Sequence, residues 1–238
     1  MKILAVFAHP DDETFGPGGT LARSASEGHP VKLVSMTRGD AGTLGPAKHL
    51  SPQELGKLRS RELENAAREL GIREISIHDL PDGRLKNLPD ATGVAVIEKE
   101  MRGFSPDILI TFHREGISAH PDHIRVTEWC LMAVRHFRRK IRLLQFGPTK
   151  EQAALITHRK IVPAPDREIT HCLDVHSFIP QKLAAARCHA SQAELFQQFL
   201  NLGEKLKDFW QTECFVQAWP QMAKPEKPYI TLKETNNV

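Results

Sequence analysis

The chain has 238 residues, 40% of them hydrophobic, enough for one sizeable α/β domain spanning residues 1–238 and too few for a second. Its 32 basic and 29 acidic residues leave a formal charge of +3, so mild an excess that composition gives no case for nucleic acid as a partner. No run approaches the ~20 apolar residues of a membrane helix, and the apolar N-terminal stretch is of strand length and meets His9 and two aspartates at once, unlike a secretory leader. The cysteines Cys130, Cys172, Cys188 and Cys214 are scattered with no CxxC pair, which predicts reduced, mostly buried thiols in a cytoplasmic protein.

Ile3 to Phe7 is almost wholly apolar and reads as a central strand covered on both faces. A helix over Gly18 to Glu27 follows, closed near Gly28, then a strand from Val31 to Met36. Thr37 to Ser51 is a long polar loop. Ser51 as N-cap, Pro52 in the first turn and Glu54 three residues on predict a helix from Pro52 to Leu70, ended by Gly71. Arg73 to Ile77 is a short strand, Asp82-Gly83 a turn, and Ala91 to Arg102 a helix stopped by Gly103. Asp107 to Phe112 is the next buried strand, and Pro121 starts a helix running to about His136. The basic cluster Arg135, His136, Arg138, Arg139 and Lys140 reads as its solvated end.

From about residue 141 the pattern is less regular. Leu143 to Phe146, Ala154 to Thr157 and Ile169 to Val175 read as strands, and Ser177 to Ala190 and Glu194 to Trp210 as helices. The alternation of strand and helix predicts an α/β, Rossmann-like, doubly wound, mainly parallel sheet with helices on both faces.

Two polar knots interrupt this pattern. His9, Pro10, Asp11, Asp12 and Glu13 follow the first strand; His120, Pro121, Asp122 and His123 follow the fourth. In a sheet of order 3-2-1-4-5 those strands are neighbours whose connections leave to opposite faces, opening a crevice at their C-terminal ends. Ionisable groups at the end of a buried strand are costly unless their lost hydration is replaced, and a divalent metal replaces it by ligation. His9, Asp12 and His123 are the candidate ligands; two imidazoles and a carboxylate suit zinc and suit Fe(II) as well. Asp11 is placed as general base, His120 as oxyanion stabiliser or acid for the leaving amine, and Asp122 as the group fixing the His120 tautomer.

Plainer readings exist for each knot. HPDH alone is a plausible helix cap, and Glu13 suits a helix N-terminus. The Gly16-Pro17-Gly18-Gly19 turn could cradle a phosphate, although the dinucleotide fingerprint needs a glycine where Leu21 stands. His78, His113, His171, His176 and His189 read as surface or core histidines.

The AHPDDE-to-GGTLA segment (Ala8 to Ala22) with HPDH (His120 to His123) resembles the PIG-L/LmbE-like zinc-dependent de-N-acetylases. Arg59-x-x-Glu62 before Leu70-Gly71, Asp82-Gly83 and the segment Leu173 to Gln192 are similar to further features of that family. The resemblance implies removal of an N-acetyl group from an N-acetylglucosamine-type conjugate, with zinc at His9, Asp12 and His123, Asp11 as base and His120 as electrostatic or acid partner. It also implies Arg59 as a substrate-binding residue, a small-molecule partner and, as in several relatives, a homo-oligomer. One departure stands out: Ser118 and Ala119 occupy positions where relatives carry an aromatic-Gly pair, and the one tyrosine is the distant Tyr229. An amidase acting on a larger amide such as a thiol conjugate, and a non-catalytic nucleotide-binding protein, are the competing functions.

Overall fold

The computed structural model describes residues 1–42, 49–157, 159–222, 227, 228 and 230–232. Its first part runs β1 (Ile3–Phe7), α1 (Asp12–Phe15), α2 (Gly18–Ser26), β2 (Val31–Ser35), α3 (Pro52–Glu69), β3 (Glu74–Ile77), α4 (Asp90–Phe104) and β4 (Ile108–Phe112). A kinked turn, α5 (Gly116–Ala119), leads into α6 (Pro121–His136) and β5 (Arg142–Phe146). The remainder is α7 (Lys150–Leu155), β6 (His171–Asp174), α8 (Ile179–Cys188), α9 (Ala193–Leu200), α10 (Lys205–Trp210) and β7 (Thr212–Trp219).

All seven strands join one sheet in the order β3-β2-β1-β4-β5-β7-β6. The first five are parallel, with Ile3 level with Val31 on one side and Ile108 on the other. Every residue of β1 and β4 is buried, because helices cover both faces and an apolar strand without alternation can occupy only such a place. β7 is antiparallel to both β5 and β6. Among the described residues no helix is long and apolar enough to cross a membrane.

Local chemistry sets the helix ends. Ser51 accepts the Glu54 N–H while the Glu54 carboxylate accepts the Ser51 N–H, a reciprocal cap worth about 1 kcal/mol to α3. Gly71, at φ 75°, then turns the chain out of the helix.

Several expectations need correction. α4 runs through Gly103 and stops at Ser105, whose φ of 53° ends the helix in the left-handed region. The 154–157 stretch is not a strand: Thr149 and Gln152 cap each other and start α7. The helix expected over 194–210 is two, α9 and α10, separated by a turn at 201–204. Cys172 and Cys214 stand opposite each other on β6 and β7 with Cα atoms 4.1 Å apart and are joined as a disulfide, leaving Cys130 and Cys188 free. That pair therefore gives no support for a reducing compartment. Tyr229 and residues 43–48 of the long loop lie outside the described residues.

β7 also settles what the glycine turn before α2 does. The Glu213 carboxylate accepts the N–H groups of Gly19 (2.9 Å) and Thr20 (2.7 Å), the positions where a helix N-terminus would meet a phosphate. Lys182 from α8 closes the arrangement, 2.6 Å from Glu213 and 2.7 Å from the Gly16 carbonyl. A Cβ at Gly19 would lie 2.6 Å from Val175. The anion site of a dinucleotide fold is thus filled by the chain's own side chain. Burial pulls the Lys182 pKa down and Glu213 only partly offsets it.

Glu213→Gln leaves that ammonium buried without its counter-charge. It should lower the unfolding free energy by about 3–5 kcal/mol in chemical denaturation; a loss under about 1 kcal/mol would show that the pair does not anchor α2. His113, just past β4, is fully buried with neither ring nitrogen hydrogen-bonded among the described residues, and burial pushes its pKa down to about 4. The unfolded chain therefore takes up this proton first, so stability is full above about pH 6.5 and is lost as pH falls from there toward 4. His113→Phe should lose less stability than the wild type between pH 7 and pH 4; equal losses would exonerate this ring.

Candidate active site

The two knots meet at the C-terminal ends of β1 and β4, the point in the sheet where successive connections part. The β1 end carries His9, Asp11 and Asp12 into a tight turn, with Asp12 beginning α1. The β4 end passes through the 116–119 turn, and Pro121 starts α6 so that Asp122 and His123 lie in its first turn.

Hydrogen bonds settle which ring nitrogens point inward. His9 Nε2 faces Asp82 Oδ1 at 2.9 Å and Asp122 Oδ2 at 3.3 Å, so it carries the hydrogen. His123 Nδ1 faces the Gly116 carbonyl at 3.1 Å and carries its hydrogen likewise. The remaining nitrogens, His9 Nδ1 and His123 Nε2, face each other at 3.3 Å. Asp12 adds Oδ1 at 3.2 Å from His123 Nε2, and its Oδ2 lies 3.5 Å from His9 Nδ1 while accepting the His9 N–H. In their neutral tautomers both imidazoles thus turn a lone pair toward the Asp12 carboxylate, which presents one oxygen to each ring. Bonds of ~2.0–2.1 Å to a tetrahedral ion put neighbouring donors about 3.3–3.4 Å apart, so the spacing fits such an ion.

Two wider sets of potential ligands share His9: one with His120 and His123, the other with Asp82 and Asp122. The second set is already engaged. Asp122 accepts the N–H groups of Gly83 (2.7 Å) and Leu85 (3.0 Å), and Asp82 accepts that of Ala41 (2.8 Å). These carboxylates sit behind His9 and orient it, the arrangement that raises the basicity of a ligating imidazole. Burial disfavours charge on His9, but Asp12, Asp122 and Asp82 outweigh it and hold its pKa well above the usual value. Burial alone would raise the Asp12 pKa; His123 reverses that and drives it strongly down.

Asp122 therefore does not orient His120, as the spacing suggested. Its backbone N–H does, donating to His120 Nδ1 at 3.2 Å. That hydrogen bond caps α6 and leaves the neutral ring its hydrogen on Nε2. Burial, with His123 and His9 beside it, lowers the His120 pKa. The preceding turn is strained: Gly116, Ile117 and Ala119 have φ of 65°, 61° and 59°. Ala119 takes the left-handed conformation at a position where a glycine would carry no Cβ penalty.

Asp11 lies beside Asp12, its own backbone at φ 110°. Two groups hold it there. The Glu13 carboxylate accepts the Asp11 N–H at 3.0 Å and is itself paired with His189 Nε2 at 2.8 Å. Arg59 donates to Asp11 Oδ2 (3.0 Å), the Pro10 carbonyl (2.6 Å) and the Gly39 carbonyl (2.8 Å). Burial raises the Asp11 pKa to about 6, against the pull of Arg59. Arg59, expected on substrate, is thus tied into the wall as the holder of Asp11. One turn along α3, Glu62 accepts the Ser191 N–H and hydroxyl and pins the segment that ends in Gln192.

These groups line a cavity of ≈ 530 Å³, the size of an ordinary small-molecule site. Its outer wall comes from chain that sequence reasoning did not assign: Phe15, Ile117 and Phe146, Arg159, and Gln192, Leu195 and Gln198 at and beyond the start of α9.

The chain's relatives identify its class. The family model described as PIG-L, GlcNAc-PI de-N-acetylase, matches residues 4–134, more than half of the chain, and the chain belongs to that family. It is 29% identical over 245 residues to a 1D-myo-inositol 2-acetamido-2-deoxy-alpha-D-glucopyranoside deacetylase 1 of Saccharopolyspora erythraea, covering 85% of this chain and 81% of that one. Among solved structures, 4-carboxy-2-hydroxymuconate hydratase (GalB) of Pseudomonas putida superposes with a TM-score of 0.71 at 20% identity, over 95% of this chain and 99% of that one. The N,N'-diacetylchitobiose deacetylase of Pyrococcus horikoshii gives 0.68 at 24% identity, over 90% and 82%. At those identities the two structures share the fold alone.

Arg59 favours the ionised form of Asp11, so Arg59→Met should move the acidic limb of the pH–rate profile upward by about one pH unit. A purely substrate-binding arginine would instead raise KM and leave that limb in place.

Proposed function

We propose that the chain is a metal-dependent deacetylase that hydrolyses the N-acetyl group of an N-acetylglucosamine-type conjugate, with His9, Asp12 and His123 as the metal ligands. The observation that carries this is the approach of His9 Nδ1, His123 Nε2 and the Asp12 carboxylate to within 3.2–3.5 Å of one another, with Asp11 beside them. Zinc is the favoured ion; Fe2+ suits the same donors. The deacetylase of Saccharopolyspora erythraea similar to this chain supports the acetylated amino sugar as substrate class.

Bound there, such an ion lowers the pKa of a water toward ~7 and polarises the acetamide oxygen. Asp11 would take a proton from the water as the water's oxygen adds to the carbonyl carbon. Arg59 keeps Asp11 ionised for the task. His120 Nε2–H faces the developing negative charge on the acetamide oxygen and stabilises it with a hydrogen bond. Asp11 then passes its proton to the departing nitrogen, and the products are acetate and a free amine. With no tyrosine at 118 or 119, His120 is the one protein donor placed for this in the HPDH segment.

A larger acyl group remains the second substrate reading, set apart by a panel of N-acyl chain lengths. Nucleotide binding is disfavoured by the Glu213 carboxylate seated on the α2 N-terminus.

Acetate release from N-acetylglucosamine conjugates should disappear on verified removal of metal and return on adding Zn2+. Asp11→Ala should lose at least ~100-fold in turnover while retaining metal, whereas His123→Ala should lose the metal itself. Full activity in the metal-stripped protein would end this reading.

A further inference from the structure

Two guanidinium groups line the cavity, and they differ in one respect. Arg59 commits both terminal nitrogens to three oxygen acceptors, its Nε alone being buried without one. Arg159 has no ion pair or hydrogen bond among the described residues, and its Nε is buried without an acceptor.

Arg159 is nevertheless held in place. Its guanidinium carbon lies 5.5 Å from the centre of the Phe199 ring. Phe199 is buried and stacks on Phe15 (5.3 Å, 13° between planes), with Phe209 and Trp210 at 5.7 and 5.6 Å. The cation rests on an aromatic shelf, an orientation that fixes its planar fork without using the donors. Asp11 and Asp12 act on it only through space, and burial lowers its pKa despite them. The other acid on this side, Glu194, is exposed at the mouth. The buried Nε is costly without an acceptor, and the terminal donors are open to a ligand that supplies one.

Resting on the deacetylase reading above, we infer that Arg159 is a specificity-determining residue that binds an anionic group, a carboxylate or a phosphate, on the part of the conjugate beyond the acetylated amino sugar. The amide end lies against His9, Asp12 and His123. The wall formed by Arg159, Gln192 and Gln198 receives the other end of the substrate. Neutral glycosides leave the fork unpaired and are the poorer substrates.

The test compares three N-acetylglucosaminides on the Zn2+-loaded protein: a methyl glycoside, one bearing a carboxylate on its aglycone, and one bearing a phosphate monoester. Deacetylation is read as kcat/KM for wild type, Arg159→Gln and Arg159→Lys. The wild type should favour an anionic aglycone over the methyl glycoside by about 10- to 100-fold, the worth of a charge-assisted hydrogen bond. Arg159→Gln should collapse that ratio toward one, and Arg159→Lys should restore part of it. Which anion is preferred tells carboxylate from phosphate. An equal anionic-to-neutral ratio in wild type and Arg159→Gln overturns the inference. Failure of the deacetylase reading looks different: none of the three substrates releases acetate. In that case calorimetry with the deacetylated amines still reads the subsite, which is overturned if the anionic and neutral amines bind alike.

Discussion

The site depends on an electrostatic conflict. Two imidazole nitrogens and the two oxygens of one carboxylate crowd together with lone pairs facing, the contacts running from 3.2 to 3.5 Å. Only a positive charge, a metal ion or the added proton that the raised His9 pKa favours, relieves this while Asp82 and Asp122 hold the other face of His9 and the Gly116 carbonyl holds that of His123. The surrounding structure maintains the conflict. Sheet topology sets the strands side by side, and the turns after them are fixed in left-handed conformations that ordinary residues avoid.

Asp11 shows how far that support extends. Its backbone is held by Glu13, which is held by His189 at the C-terminal end of α8; its side chain is held by Arg59, from α3. One turn on, Glu62 fixes the segment that carries Gln192 into the cavity. A carboxylate with a pKa near neutrality is thus a product of burial and a neighbouring cation acting in opposite directions.

Much of this was legible in the sequence. The five parallel strands follow from apolar runs, and the meeting of the two knots follows from their order in a doubly wound sheet. What was not legible depends on distance. β7 begins almost where α10 ends, with no turn residues to announce it, so Cys214 and Glu213 had no visible partners. The Thr149 and Gln152 cap was present, but the apolar run after it read as a strand. Asp122 was placed on the wrong imidazole because spacing within HPDH cannot say that His9, 113 residues away, lies closer to its carboxylate. The Glu13–His189 pair and the Arg159 shelf have no local signature at all.

The α8 and β7 contacts carry a consequence for where the protein's boundaries lie. The family model stops at residue 134, yet the loop that bears the aspartates is clamped from behind by residues 182, 189 and 213. A fragment cut to the motif-bearing half would keep every reactive group and lose the braces that aim them. In this chain the later, less recognisable half serves as the mould in which the reactive half is cast.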